Sequence, residues 1–300
     1  MPRKAYKHLR LLQAHEDVLS QHLKHDQDGK LQFQHAGLAM VSFPYRNMGT
    51  SFARRSGPWS LSLKAGSLPI GIDEIGFLRR QTPDVCVPSG PRARLILLSL
   101  QTEALRKGSP EVDVRPSFTA FAKKLGLATN QQSLKSLRAQ MLNLSLVHMT
   151  LSYRGSEVFD LYQGNIFSKL HADLQHDPAQ RVLWPDTVVF QSDYFLSLQQ
   201  HALPLHWDAI RGLANSARSL DWYCFLAYRL HALKRPTAIS WEGLQSQFSD
   251  RRGQMSAFQR QMKKTISEVS LVYPKSRVTQ IKGGVMLYPS PPPVKKKLQI

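Results

Sequence analysis

Two stretches of the chain, which begin about 125 residues apart, carry the same order of secondary-structure signals: a helix, a short strand, two further helices and a β-hairpin. In each stretch the first helix is apolar around most of its circumference, which predicts burial. The third helix has apolar residues at helical spacing on one side, and each hairpin turns at a glycine. The predicted elements of the first copy are 92–108, 111–114, 117–126, 130–144 and the hairpin 146–162; those of the second copy are 217–235, 236–240, 241–248, 254–271 and the hairpin 277–288. This is the order of a winged helix-turn-helix, so the sequence predicts an α+β protein with tandem winged helix-turn-helix domains.

The two copies divide the chain into four segments. The first winged-helix domain is predicted over 89–180 and the second over 181–290, followed by a basic tail at 291–300. Residues 1–88 form an N-terminal extension that the sequence patterns define poorly. A helix is predicted there over about 5–24, and the Gly-, Pro- and Ser-rich residues that follow are interpreted as an extended arm and linker.

The net charge predicts an anionic partner. The chain has 40 Lys and Arg against 21 Asp and Glu, a formal net charge of +19, which suits nucleic acid or an anionic membrane surface. It contains no run of about 18 apolar residues, and its N-terminus lacks the apolar core of a signal peptide. The two cysteines, Cys86 and Cys224, provide neither a disulfide framework nor a C-x-x-C spacing. We therefore expect a soluble protein of the reducing cytoplasm.

The third helix of the second copy is the strongest candidate for DNA contact. If Phe258, Met262 and Ile266 face inward, a rotation of about 100° per residue places a polar and basic set on the opposite side. That set is Ser256, Arg260, Lys263, Lys264 and Ser267, with Gln259 beside it and Arg251 and Arg252 just before the helix. Arginine suits guanine and glutamine suits adenine, so Arg260 and Gln259 are predicted to address base edges. The hairpin that follows carries Lys275, Arg277 and Lys282, where a wing would contact the DNA backbone or minor groove.

The equivalent face of the first copy is polar but nearly neutral. Its predicted residues are Gln132, Lys135, Ser136, Ala139 and Asn143, with Arg138 on the flank. The unequal charge predicts that the second copy provides more of the phosphate affinity, and that the first reads bases weakly or makes protein contacts.

Two groups of residues, one basic and one aromatic, each have two possible interpretations. The basic residues of the second copy could form an ordinary solvated helix surface, although the net charge and their place on a third helix favour nucleic acid. A group of aromatic residues could form a base-stacking platform, but their dispersion around a helix with apolar neighbours favours core packing. That group is Trp207, Trp222, Tyr223, Phe225 and Tyr228.

No recognisable catalytic motif is present. The chain has no Gly-rich phosphate loop ending in Gly-Lys-Ser/Thr and no His-x-His metal site. Three histidine pairs, His22 with His25, His171 with His176 and His201 with His206, are interpreted as surface histidines. These absences remove the clearest catalytic candidates without excluding an enzyme, and we expect no metal and no cofactor.

The sequence resembles the RepA-type plasmid replication initiators of bacteria. The resemblance covers 88–294 and rests on "PSGPRARLILLSLQTEALRKGSPEVDV", "SLRAQMLNLSL", "SLDWYCFLAYRLHALKRPTAISWEGLQSQF", "VYPKSRV" and "GGVMLYPSPPPV". It implies a protein that is not an enzyme, that binds repeated double-stranded origin DNA, opens adjacent A·T-rich DNA and recruits the host replication initiator and helicase. It also implies that one winged helix can serve a homodimer. A transcriptional regulator or a DNA-coating protein built from the same modules remains open, because a fold does not define a function.

Overall fold

The computed structural model describes residues 19–67 apart from 21, 25, 27 and 28, and residues 85–114, 118–155, 159–171, 186–250 and 253–294. The described residues form both helices and antiparallel sheets, which confirms a mixed helix-and-sheet fold. The elements that precede the first copy are β1 (Leu31–His35), α1 (Ala36–Met40), β2 (Ser51–Ser56) and β3 (Trp59–Ala65).

The predicted helices and strands of both copies are present. The first copy contains α2 (Gly90–Lys107), β4 (Glu111–Asp113), α3 (Phe118–Lys124), α4 (Gln131–Leu146), β5 (Val147–Arg154) and β6 (Phe159–Asn165). Next come β7 (Phe167–His171), β8 (Thr187–Phe190), α5 (Ser192–Gln200), β9 (Ala202–His206) and α6 (Trp207–Leu213). The second copy contains α7 (Ala217–Arg229) with a short 3-10 turn after it, β10 (Thr237–Ser240), α8 (Trp241–Phe248), α9 (Met255–Val272), β11 (Val278–Ile281) and β12 (Gly284–Leu287).

The ends of these helices follow local chemistry. The side chain of Asn130 accepts a hydrogen bond from the Ser133 amide at the start of α4, and the hydroxyl of Ser240 accepts one from the Gly243 amide at the start of α8. Gly108 ends α2 with a left-handed φ of 63°.

The two copies differ in how their strands pair. In the second copy β10, β12 and β11 form one antiparallel sheet, with Gly284 of β12 opposite both Ser240 and Ile281. In the first copy β4 pairs with β8 rather than with its own hairpin. The hairpin instead joins a four-stranded sheet in the order β2-β3-β5-β6, because β3 already occupies the free edge of β5 from Trp59 to Ala65.

The interpretation of the N-terminal extension as an arm and linker is wrong for residues 31–65. Phe33, Leu61 and Leu63 belong to the main core and are at most 1% exposed. Strand β1 pairs with β9, while β2 and β3 pair with the first copy, so this segment contacts both halves of the chain. Of the predicted helix over 5–24, residues 19, 20 and 22–24 are helical and the remainder lies outside the described residues.

The core runs through α2 and α7. Trp222, Tyr223 and Phe225 of α7 are fully or nearly fully buried, which confirms core packing over a base-stacking platform for these three. Trp207 and Tyr228 are partly buried against the same core. In the part of the chain that the structure describes, no helix is long and apolar enough to span a membrane.

Candidate nucleic-acid interface

Helix α9 has one buried side and one open side. Phe258, Met262, Ile266 and Val269 are buried, as the helical spacing predicted. The opposite side is exposed and consists of Ser256, Arg260, Lys263, Lys264 and Ser267. The predicted face of the helix is therefore confirmed as a surface, which we call the α9 face.

The basic residues of the α9 face have few acidic residues near them in the sequence. Residues 251–287 carry eight basic residues and one acid, Glu268. One carboxylate oxygen of Glu268 accepts a hydrogen bond from the Ser219 hydroxyl at 2.6 Å, and the other lies 3.8 Å from the Lys264 ammonium. Because Ser219 holds Glu268 toward α7, the lysine, with its side chain 80% exposed, keeps most of its charge available to solvent.

The other predicted contacts of the second copy differ in exposure. Gln259 is partly buried at its flank, whereas Lys275 and Lys282 are exposed. The guanidinium of Arg277 lies 5.2 Å from the centre of the Tyr288 ring, so its exposed side chain is held against the hairpin. Arg251 and Arg252 lie outside the described residues.

A close backbone approach shapes the hairpin. The turn consists of Lys282 and Gly283, and Gly284 is the first residue of β12 rather than the second residue of the turn. A Cβ at Gly284 would overlap the carbonyl oxygen of Ile239 in β10. Only glycine therefore allows β10 and β12 to pair at this point.

The first copy presents fewer of its predicted residues. Gln132 and Lys135 of α4 are exposed, and Ser136 and Arg138 are partly buried. Asn143 is buried, and its side-chain oxygen accepts a hydrogen bond from the Cys86 amide at 3.1 Å. The prediction that Asn143 contacts DNA is therefore wrong, because the segment that leads into α2 covers that side of α4.

Among the described residues, no group of three or more His, Cys, Asp or Glu side chains could hold a metal ion. His201 ends α5 and lies beside His35, with ring centres 5.6 Å apart, and His206 is exposed at the end of β9. His25 and His176 lie outside the described residues.

Sequence reasoning missed a buried polar cluster behind α8 and α9. Three guanidinium groups surround the ring of Tyr45 at 5.0–5.2 Å from its centre, and two of them are paired with carboxylates, Arg54 with Asp250 and Arg94 with Asp221. Burial, followed by the nearby charge of Asp221, raises the pKa of the Tyr45 hydroxyl. The Tyr45 cluster consists of Tyr45, Arg54, Arg94, Arg218, Asp221 and Asp250. No local sequence signal marks it, since Arg54 and Asp250 are 196 positions apart.

The fold and the α9 face define a mixed helix-and-sheet protein with a basic helix on its surface. A family model described as "Plasmid encoded RepA protein" matches residues 87–243, more than half of the chain. The chain therefore belongs to this family of plasmid-encoded RepA proteins, which confirms the resemblance. The match ends within α8, so α9 follows the matched segment.

Similar solved structures include two of domains 2 and 3 of RctB. The selenomethionine form has a TM-score of 0.49 and 10% identity, and covers 83% of this chain and 94% of that chain. The form spanning RctB residues 155–483 has a TM-score of 0.46, 12% identity and the same coverage. Similarity at this level does not define a shared function. No curated protein sequence matches this chain.

Proposed function

We propose that the chain is a plasmid replication initiator that binds repeated origin DNA through the α9 face. The observation that carries the proposal is the exposed row of Arg260, Lys263 and Lys264 on a helix whose other side is buried. Membership of the plasmid-encoded RepA family supports the biological context.

In this proposal the second copy acts as a winged helix-turn-helix. Helix α8 braces α9, and the sheet of β10, β12 and β11 supplies the wing. The recognition helix of such a module lies in the major groove, where Arg260 would pair with guanine and Gln259 with adenine. Lys263 and Lys264 would bind phosphates, and the hairpin cations Lys275, Arg277 and Lys282 would rest on the neighbouring backbone.

Initiation would follow from binding energy rather than from catalysis. When a protein bends or loosens a duplex, the free energy of its own DNA contacts offsets part of the free energy needed to open adjacent A·T-rich DNA. The host replication initiator and helicase would then be recruited to the opened site in the cytoplasm, without cofactor or membrane. The nearly neutral first copy would contribute weak base contacts or the interface of a homodimer.

Salt-dependent affinity tests the DNA-binding part of the proposal. The probes are a duplex that the protein itself selects from a randomised pool and a scrambled version of that duplex. In the variant Arg260→Ala/Lys263→Ala/Lys264→Ala, the slope of log affinity against log salt should become shallower by about 1.8, since the phosphate contacts of Lys263 and Lys264 each contribute about 0.9.

A matched variant controls for net charge. Lys64, Lys107 and Lys123 are exposed and belong to β3, α2 and α3 rather than to α9, so their joint substitution by alanine removes the same charge and should leave the slope nearly unchanged. Equal slopes for the two triple variants, or no enriched sequence in the selection, would refute binding through the α9 face. A plasmid that carries the origin but lacks this gene separates initiator from regulator: only an initiator supplied in trans maintains it.

A further inference from the structure

The two residues that follow α8, Ser249 and Asp250, contact the N-terminal part of the chain. Asp250 lies two residues after α8, and its carboxylate is 2.7 Å from the guanidinium of Arg54 in β2. Both side chains are only 3% exposed. The second carboxylate oxygen accepts hydrogen bonds from the amides of Tyr45 and Arg46, at 2.8 and 3.2 Å. Every one of these contacts comes from residues 45–54, so this short segment determines where Asp250 lies.

Arg218 of α7 fixes both helices beside this ion pair. Its Nε donates to the carbonyl oxygen of Phe248 at the end of α8, at 3.0 Å, and its Nη1 donates to the side-chain oxygen of Gln261 on α9, at 2.7 Å. Its guanidinium also lies over the rings of Tyr45 and Phe258. The end of α8 and the buried side of α9 therefore share one anchor.

Helix α8 has a further bond to the same N-terminal segment. The side chain of Gln247 donates to the carbonyl oxygen of Met40 at 3.0 Å in a buried position. Arg54 in turn donates from Nη1 to the Ser42 hydroxyl at 2.9 Å and from Nη2 to the carbonyl oxygen of Ser249 at 3.3 Å. The end of α8 and the two residues after it are thus held by residues 40–54, far away in sequence.

We infer that Asp250 is a positioning residue for DNA reading: through Arg54 and Tyr45 it holds the end of α8, so that α9 meets base edges in register. This inference rests on the proposed DNA binding by the α9 face. Base-edge hydrogen bonds weaken steeply when their geometry is disturbed, whereas a flexible lysine follows a phosphate over a longer range. Loss of the anchor should therefore reduce sequence discrimination more than the electrostatic part of affinity.

Asp250→Asn is the most direct perturbation. The substitution keeps the shape of the side chain but turns one carboxylate oxygen into an NH₂ group, which then faces either Arg54 or the two backbone amides as donor against donor. The ratio of affinities for the selected and scrambled duplexes should fall at least about tenfold, as for the loss of one bidentate base contact. The salt slope should stay at the wild-type value.

Asp26→Asn is a closely matched control. The Asp26 carboxylate is 4% exposed, pairs with Arg106 at 2.6 Å and accepts from the Leu31 amide at 2.9 Å, away from α9. It should lower the thermal unfolding midpoint by a similar amount and leave the affinity ratio unchanged. The double variant Arg54→Gln/Asp250→Asn should show the same affinity ratio for the selected and scrambled duplexes as Asp250→Asn alone, or a higher one. The reason is that both side chains belong to the same ion pair. If Asp250→Asn does not fold, Arg54→Lys, which cannot bond Asp250 and the Ser249 carbonyl in the same way, gives the same readout.

The outcomes separate the two proposals. A folded Asp250→Asn protein with the wild-type ratio overturns the positioning role, and so does an equal loss of ratio in Asp26→Asn, which would make the loss a general effect of destabilisation. If the wild type itself does not discriminate, or if the α9 triple variant binds like its control, the proposed function fails and the positioning role fails with it.

Discussion

Acidification should destabilise the N-terminal segment through His35, the last residue of β1 and the N-cap of α1. Its ring is 2% exposed. Nδ1 accepts a hydrogen bond from the Gly37 amide at 3.0 Å, so the proton of the neutral ring is on Nε2, which can donate to the Ser197 hydroxyl at 3.0 Å. A second proton on Nδ1 would face the Gly37 N–H and remove the cap of α1. Burial, followed by the charge of His201, lowers the pKa of His35 from 6.5 to about 3.

The sign of the pH effect follows from that lowered pKa. Above pH 6.5 both the folded and the unfolded chain have a neutral His35, and its contribution to stability is complete. Below pH 6.5 His35 is protonated in the unfolded chain but stays neutral in the folded chain. The free energy of unfolding therefore falls by about 1.4 kcal/mol per pH unit until about pH 3. Between pH 7 and pH 5 this amounts to about 2 kcal/mol.

Urea denaturation followed by circular dichroism at pH 7, 6 and 5 measures this loss. His35→Asn keeps an oxygen that can accept from the Gly37 amide but cannot titrate, so its free energy of unfolding should fall by about 2 kcal/mol less than that of the wild type over this range. His148→Asn, at a partly exposed site on β5, controls for the removal of a histidine as such. Parallel pH dependences for the wild type and His35→Asn would refute the reasoning.

Two further substitutions test the packing that supports the site. Gly284→Ala should destabilise the protein by about 1–3 kcal/mol, since the new Cβ meets the Ile239 carbonyl, whereas Gly283→Ala, where nothing lies within 4 Å, should be nearly neutral; equal thermal midpoints for the two variants would contradict the close approach. Arg94→Met should cost about 3–5 kcal/mol because it leaves the buried Asp221 carboxylate, 2.7 Å from the guanidinium, without its counter-charge. Arg94→Met/Asp221→Leu should recover much of that loss in urea denaturation, and a double variant as unstable as the single one would argue against an ion-pair origin.

The elements that could be predicted are those whose apolar residues repeat at regular intervals along the sequence. A helix with one side in the core repeats its apolar residues every three or four positions, so the inward set Phe258, Met262 and Ile266 could be read directly. Burial of Asn143 could not be predicted, because the group that covers it, the Cys86 amide, belongs to a segment 57 positions away. The partner of Arg54 could not be predicted either, since a buried ion pair between distant residues leaves no periodic pattern in the sequence.

The pairing of the N-terminal strands was missed for a related reason. Residues 31–65 contain short strands separated by Gly, Pro and Ser, and this composition is typical of a linker when no partner is known. Their partners, β9 and β5, follow later in the chain, and only pairing turns the segment into core. The same pairing explains why the two copies diverge although their element order is equal.

This divergence bears on which copy binds DNA. In the first copy β3 occupies the edge of the hairpin, β4 pairs elsewhere, and one side of α4 is covered by the segment around Cys86. In the second copy the hairpin closes on its own first strand, and the α9 face remains exposed. Charge and topology are separate properties of the chain, and both favour the second copy for the proposed phosphate contacts. An ordinary solvated helix surface would account for the exposed cations of α9. It would not account for the packing of α8 against α9, the basic hairpin that follows α9 or the ion pair of Asp250 just after α8.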